Sequence, residues 1–321
     1  MHLSNDRKMV VIIGPTASGK SDLAIKLAKK FNGEIISADS RQVYRGMNLG
    51  TGKVTKDRFK NKDLRFKNGY FSEGIRHHLI DVASPKRQFT VARFKKLGQK
   101  AIKEILKKEK TPIIVGGTGF YVDVLLNRIN IPEVGPNIKL RKQFDKLTAE
   151  HLFKMLRKLD PRRAETIEPQ NKRRLIRALE ITTTKRRYSF SHDRGKNYTE
   201  EKYKILWLGI KIKQKKLDKK IEKRLNERLK QGMIKEVQQL HQGGVSWKRL
   251  DSFGLEYRQI SEYLKNSKLQ ITNYKQITNS KLQILNFKKS EYYEKLLRNI
   301  IRYSKRQMTW FKRNKEIKWI T

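Results

Sequence analysis

Cysteine is absent from the 321-residue chain. That excludes disulfide bonds, a thiolate nucleophile and any cysteine-based zinc site. Acidic residues are scarce: 31 Asp and Glu stand against 76 Lys and Arg, for a formal net charge of +45. So large an imbalance predicts a polyanionic partner, most simply nucleic acid. Part of it has a blander source, because Lys, Asn and Ile are all abundant, as in proteins from AT-rich genomes. Apolar residues make up only 37% of the chain, yet they recur with regular spacing, so the sequence reads as folded rather than disordered. No apolar run approaches the length of a membrane span, and no membrane association is expected. The opening stretch Met1–Lys8 lacks the apolar core of a signal peptide, so a cytoplasmic protein is expected.

What the chain does have is a phosphate-binding loop. Gly14-Pro15-Thr16-Ala17-Ser18-Gly19-Lys20-Ser21 fits G-x-x-x-x-G-K-[ST] at every fixed position. The loop follows a short apolar run, Met9–Ile13, that reads as buried strand. It precedes Asp22–Ala28, which reads as the start of a helix. In that setting successive backbone N–H groups and a helix N-terminus form an anion cradle. Lys20 adds a point charge, and Ser21 offers a hydroxyl to Mg²⁺. The motif predicts polyphosphate binding by Gly14, Thr16, Ala17, Ser18, Gly19, Lys20 and Ser21. Alone, it names neither the polyphosphate nor its fate.

Strand signals at 9–13, 34–38, 77–82 and 112–116 alternate with helical patterns at 20–31, 90–109 and 119–127. This is the pattern of parallel βαβ units, and the fold class expected is α/β, a P-loop NTPase-like sheet. Residues 128–202 differ. Pro132 and Pro136 open them, amphipathic helices are expected at 137–147, 149–158 and 171–184, and a polar loop spans 189–199. They read as a helical insertion in a core made of 1–127 and 203–321, which the strand 203–210 rejoins. Further on, Leu217, Ile221, Leu225 and Leu229 recur every four residues, a core stripe with a mostly solvated basic face opposite. Asn266–Ile271 is nearly duplicated by Asn279–Ile284, so 266–286 reads as an insertion in an exposed connection. The chain closes on a helix at 290–313.

Two more segments bear on chemistry. Asp39-Ser40-Arg41-Gln42-Val43-Tyr44 ends the second strand, and in open α/β sheets ligands sit at the carboxyl ends of strands. Asp39 therefore reads either as a turn or cap residue or, beside the phosphate loop, as a general base or water-mediated Mg²⁺ partner. Gly116-Gly117-Thr118-Gly119 follows a buried strand, and Thr118 is either a plain N-cap or a hydroxyl aimed at a ligand. His77 and His78 invite a metal reading, but neighbours on a strand face opposite ways and cannot chelate one ion together.

Taken in order, Gly14–Ser21, Asp39–Met47, His77–Asp81, Gly116–Gly119, Arg173–Glu180, Gly254–Gln259 and Lys305–Phe311 resemble the tRNA dimethylallyltransferase (tRNA isopentenyltransferase) family over nearly the whole chain. The resemblance implies transfer of a prenyl group from dimethylallyl diphosphate to the exocyclic amine of the adenosine 3′ of the tRNA anticodon, with Mg²⁺. It implies that Thr16 to Ser21 hold the diphosphate and that Asp39 is the base. Lys20 would assist at the leaving group and Thr118 at the reacting amine or the diphosphate. It puts Asp39, Ser40, Arg41, Gln42, Thr118, Arg141, Arg173, Arg174, Arg177, Tyr257, Arg258, Lys305, Arg306 and Gln307 against tRNA, although any basic residue outside the motifs reads equally as a solvated charge.

The chain departs from that pattern in places. Ile300-Ile301 replaces a usual Thr-Arg, with Arg302 displaced by one. Glu256 stands where many relatives have Gly, and 54–74 is longer and more basic than usual. A monomer without an obligate protein partner is expected. The alternatives are a P-loop nucleotide kinase, which has no use for the Asp39–Met47 stretch, and a non-catalytic RNA-binding protein, which has no use for an intact Lys20, Ser21, Asp39 and Thr118.

Overall fold

Seven strands form one sheet around an N-terminal strand buried from its second residue onward, β1 (Lys8–Ile13). The others are β2 (Gly33–Ser37), β3 (Tyr70–Ser72), β4 (Ile75–His78), β5 (Thr111–Gly116), β6 (Lys204–Ile210) and β7 (Lys318–Ile320). The computed structural model describes residues 8–57, 69–132, 134–187, 203–266 and 280–321. Sheet order is β3-β4-β2-β5-β1-β6-β7, and every pairing is parallel except β3 with β4. β1 and β5 are nearly continuous apolar runs because a central parallel strand is covered on both faces. Val11, Ile13, Ile36 and Ile114 face one core cluster, and Val10, Ile12, Ile35 and Ile113 the other, as period-two alternation requires.

The helices that position the site are α1 (Lys20–Lys30), α2 (Val91–Lys107) and α3 (Gly119–Leu125) between strands. Thr90 caps α2, its side chain accepting from the N–H of Arg93. The fourth strand was expected at 77–82 but ends at His78. Leu79 and Asp81 both take positive φ, 65° and 58°, which turns the chain out of the sheet. Strand β3 has no signal in the sequence pattern. It forms because Glu73 and Gly74, at φ 52° and 77°, make a tight hairpin with β4.

The chain divides into two compact units, 1–129 with 202–321, and 130–201. In the smaller, α4 (Ile138–Asp145), α5 (Ala149–Leu159), α6 (Pro161–Thr166) and α7 (Lys172–Arg187) pack around Phe144, Leu152, Leu156, Leu175 and Leu179. The short α6 was not expected; Asp160 caps it and Pro161 occupies its first turn. The polar loop 189–199 lies outside the described residues.

After β6 the larger unit continues as α8 (Gln214–Lys230), α9 (Met233–Gln242), α10 (Trp247–Phe253), α11 (Leu255–Asn266), α12 (Ser280–Lys289) and α13 (Glu291–Phe311). The stripe Leu217, Ile221, Leu225 and Leu229 is buried as its period predicts. Of the repeat, 267–279 lie outside the described residues. The rest of its second copy begins α12, exposed along Lys281 and Leu282 but burying Gln283 beside Phe287. That edge of the helix is core rather than exposed connection.

Candidate active site

One pocket gathers the carboxyl ends of β2 and β5, the phosphate loop, and the helices α8 and α13. Thr16, Lys20, Ser21, Asp39, Gln42 and Gln307 line it, all named from sequence. So do Gly117 and His77, the latter weighed there only as a metal ligand, and Thr51, Gly52, Arg224 and Tyr303, which were not named.

The loop is shaped before any ligand arrives. Ala17 takes φ 60°, a conformation that costs an L-residue on the order of 1 kcal/mol and is kept where function needs it. Ser18 is buried and its hydroxyl has no partner among the described residues. Lys20 bends its amine back to donate to the Pro15 carbonyl at 2.6 Å. Burial of that amine, and next the charge of Arg224, lower its pKa to about 7, with Asp39 pulling the other way. The empty cradle thus holds a lysine poised between its two charge states.

Gln307 links the two glycine-bearing loops. Its Oε1 accepts the Thr16 N–H at 2.9 Å, and its Nε2 donates to the Gly117 carbonyl at 2.6 Å. A Cβ on Gly117 would lie 2.3 Å from that Nε2, so only glycine lets the amide in. Gln307 was expected against tRNA; it is instead a buried brace inside the phosphate site.

Asp39 is a turn residue that also lines the pocket. Its Oδ1 accepts the N–H groups of Arg41 at 2.7 Å and Gln42 at 3.3 Å, the turn-forming bonds expected of Asp. The carboxylate nonetheless lines the pocket with Lys20 and Ser21. Thr118 makes no side-chain cap bond to α3. It bonds Tyr303 instead. Burial, and next the charge of Asp39, push the Tyr303 phenol up to about 12, and the Thr118 bond pulls it back. Tyr303 therefore stays neutral at any physiological pH.

Arg224 is the larger omission. It was assigned to a solvated basic face of α8, yet its guanidinium donates to the Gly52 carbonyl at 3.3 Å and faces the pocket. Arg224 and Arg228 each precede a residue of the Leu225 and Leu229 stripe. That four-residue spacing, next to the core, was the available signal.

The remaining tRNA candidates divide. Arg173, Arg174, Arg258, Lys305 and Arg306 are exposed, and Ser40 and Arg41 are half-buried on the turn after Asp39. Arg41 lies over the Phe253 ring at 5.8 Å. Tyr257 is 2% exposed and donates to Glu236 at 2.7 Å. Its hydroxyl and ring are inside the protein, which corrects the expected contact with tRNA. In the smaller unit, Arg141 and Arg177 spend their guanidinium groups on the buried Glu180. His77 lines the pocket and His78 bonds Glu34, consistent with opposite faces of the strand. Among the described residues no group of three or more His, Cys, Asp and Glu is placed to hold a metal.

The IPP transferase family model matches residues 42–314. The chain belongs to the IPP transferase family. It is 36% identical over 316 residues to a tRNA dimethylallyltransferase of Acetivibrio thermocellus, covering 97% of this chain and 91% of that protein. A tRNA dimethylallyltransferase 1 of Syntrophus aciditrophicus is 38% identical over 320 residues, covering 98% and 93%. Among solved structures, the full-length tRNA isopentenylpyrophosphate transferase of Bacillus halodurans superposes with a TM-score of 0.62 at 31% identity, over 98% of this chain and 89% of that one. The pocket residues from Gln42 onward lie inside the family match; the phosphate loop, Ala24, Ile35, Ser37 and Asp39 precede it.

Proposed function

We propose that this IPP transferase moves the dimethylallyl group of dimethylallyl diphosphate onto the exocyclic N6 amine of the adenosine 3′ of a tRNA anticodon, in the cytoplasm, releasing diphosphate. The observation that carries this reading is the placement of a carboxylate, Asp39, in the same pocket as a complete phosphate cradle. Alkyl transfer to a weak nucleophile needs both: charge neutralisation for the leaving group and an acceptor for the amine proton.

The backbone of Thr16 to Ser21 holds the diphosphate, with Lys20 and Arg224 supplying positive charge. The adenine amine attacks C1 of the prenyl group. The C1–O bond breaks, its electron pair leaving with the diphosphate, and the N6 proton passes to Asp39. Oδ1 is tied to the turn, so Oδ2 is the oxygen that receives it. Thr118, oriented by Tyr303, bonds the amine opposite Asp39. The hydroxyl of Ser21 suits Mg²⁺, a hard cation that keeps several waters and takes further oxygens from a substrate's phosphates. Bound there, it would neutralise charge growing on the diphosphate. The target base must leave its stack, at a cost of a few kcal/mol. Basic surface such as Arg258, Lys305 and Arg306 offsets that cost through the tRNA backbone.

Incubating the protein with dimethylallyl diphosphate, Mg²⁺ and unmodified tRNA, then digesting to nucleosides for mass spectrometry, tests this. A prenyl-sized gain on adenosine is expected, reduced at least about a hundredfold in rate by Asp39→Ala while tRNA affinity stays nearly unchanged. Wild-type turnover in Asp39→Ala would remove Asp39 from the mechanism. No gain in folded protein that binds tRNA would sink the reading.

A further inference from the structure

One turn beyond Arg224 on α8 stands a second arginine, Arg228. Arg228 is 12% exposed, and its NH1 lies 3.6 Å from Oε1 of Glu256, itself 14% exposed. Both arginines press on one backbone position. A Cβ built on Gly52 would fall 1.6 Å from Arg228 NH2 and 2.2 Å from Arg224 NH2. Gly52 takes φ +63°, and the close approach needs the space its missing side chain leaves. The loop carrying Gly52 is fixed from beneath. Glu236 accepts the N–H groups of Asn48, Leu49 and Gly50 and the Tyr257 hydroxyl. Lys20, Arg224 and Arg228 thus stand in one buried row.

The carboxylates acting on that row are few. Glu256, Asp22 and Asp39 act on Arg224, while Glu256, Glu236 and Asp39 act on Arg228. Asp39 is committed to the substrate amine in the function proposed above, and Glu236 to the backbone of the 48–50 loop. Glu256 alone pairs with an arginine of the row. It gets there because the chain makes a strained turn between α10 and α11, Gly254 at φ 75° and Leu255 at φ 36°, that sets Glu256 in the first turn of α11. Burial pushes the Glu256 carboxyl up, and Arg228 and next Arg224 pull it back down.

We propose that Glu256 is a positioning residue for the leaving-group site: by pairing with Arg228 and shielding Arg224 it limits the positive charge that the pocket-lining cations Lys20 and Arg224 present to diphosphate, and so limits how tightly the product is held. An excess cation in a pocket that must release a highly charged product slows turnover rather than helping it. This inference rests on the function proposed above.

Titration calorimetry with inorganic diphosphate and Mg²⁺ tests it without tRNA or a prenyl donor. Glu256→Gln should bind diphosphate about five- to tenfold more tightly, the effect of uncovering one partly shielded charge. Inhibition of turnover by added diphosphate should tighten by the same factor, and binding should fall more steeply with salt. Glu256→Asp should restore wild-type affinity. Should Glu256→Gln fail to fold, Arg228→Gln carries the test. With Glu256 then uncompensated beside Arg224, it should bind about five- to tenfold more weakly, and Arg228→Gln/Glu256→Gln should return to within about twofold of wild type. Unchanged or weaker diphosphate binding in Glu256→Gln, or no recovery in the double variant, would overturn the proposal. A wild-type protein that binds no diphosphate would overturn the functional reading with it. Wild-type binding without differences among variants would overturn this inference alone.

Discussion

Lys20 should take up a proton when the pocket fills with diphosphate. In the empty site, burial and then Arg224 hold its pKa at about 7, against the opposing pull of Asp39. About half of the amines are then charged at pH 7, about nine in ten at pH 6 and about one in ten at pH 8. Diphosphate brings several negative charges to the amine, which favours its charged form and returns it toward the ordinary lysine range. Near pH 8, binding should therefore draw about 0.9 proton onto Lys20, and near pH 6 only about 0.1. Above pH 7 the affinity should fall by up to about tenfold per pH unit, because the charged lysine must first be made. The same shift acts on folding with a definite sign. Between pH 7 and the ordinary lysine range the unfolded chain holds a proton that the folded chain has released, so this group's contribution to the empty protein's stability rises with pH.

Calorimetric titration of diphosphate in two buffers of different ionisation enthalpy reads the proton count directly. Lys20→Arg is the control, since a guanidinium stays charged throughout and reports only the ligand's own protonation. The expected result is an excess uptake in wild type over Lys20→Arg of about 0.9 proton at pH 8, shrinking to about 0.1 at pH 6. Equal uptake in the two proteins at pH 8 would mean that the amine is already charged in the empty pocket, and the argument from burial would be refuted.

Three other perturbations test the frame around the site. Gln307→Leu leaves the Thr16 N–H and the Gly117 carbonyl without their partner, so thermal or urea unfolding should show a loss of about 2–4 kcal/mol, with weakened diphosphate binding. An unchanged melting curve would mean that water replaces the amide. Tyr257→Phe removes the buried hydroxyl donated to Glu236 and should cost about 1–2 kcal/mol in unfolding while leaving tRNA affinity alone; a large loss of tRNA affinity would put the hydroxyl outside after all. In the smaller unit, Glu180→Gln strips the fully buried carboxylate from Arg141, Arg177 and the Asn137 N–H, and should cost about 3–5 kcal/mol in unfolding. A loss under about 1 kcal/mol would mean that the two half-exposed arginines find water instead.

Sequence reasoning reached the parts of this protein that repeat or fill a motif. β1, the phosphate loop and α1 are legible because strand, glycine loop and helix occur in fixed order, and the α8 stripe because four-residue spacing has one physical meaning. β3 was illegible, since three residues carry no period and the hairpin depends on positive φ at Glu73 and Gly74. Distance along the chain hid the rest of the site. Gln307 meets Thr16 across 291 positions, and Arg224 meets Gly52 across 172. The position of Arg224, one residue before the stripe, is shared with Lys216, Lys220 and Arg228, so spacing alone does not single it out. Only the sheet, by bringing the 47–52 loop under that helix, makes it part of the site. Tyr257 failed in the opposite direction. A motif marked it as functional, and the side chain turns out to hold Glu236, which in turn holds the backbone of the loop that lines the pocket.

Asp39 shows why weighing a structural role against a chemical one was the wrong contest. A general base must be within reach of the proton it removes and must keep its orientation while a large substrate enters. A side chain on a turn has neither property unless something fixes it. Here the turn does so: the N–H groups of Arg41 and Gln42 hold Oδ1, so the carboxylate is set by backbone rather than by a free rotamer. The same turn is tied to the pocket wall. Gln42 accepts from the Ser37 hydroxyl at 2.8 Å and donates to the carbonyl of Gly52, the residue Arg224 also bonds. The Asp39 turn and Arg224 are thus braced through one backbone carbonyl. Gln42→Ala should accordingly lower turnover more than it lowers stability, because it unties the Asp39 turn from the Gly52 carbonyl that Arg224 bonds while leaving the backbone N–H groups on Oδ1 in place. Steady-state kinetics beside an unfolding curve measure both. A variant that loses stability and turnover in the same proportion would reduce Gln42 to packing and uncouple the two halves of the site.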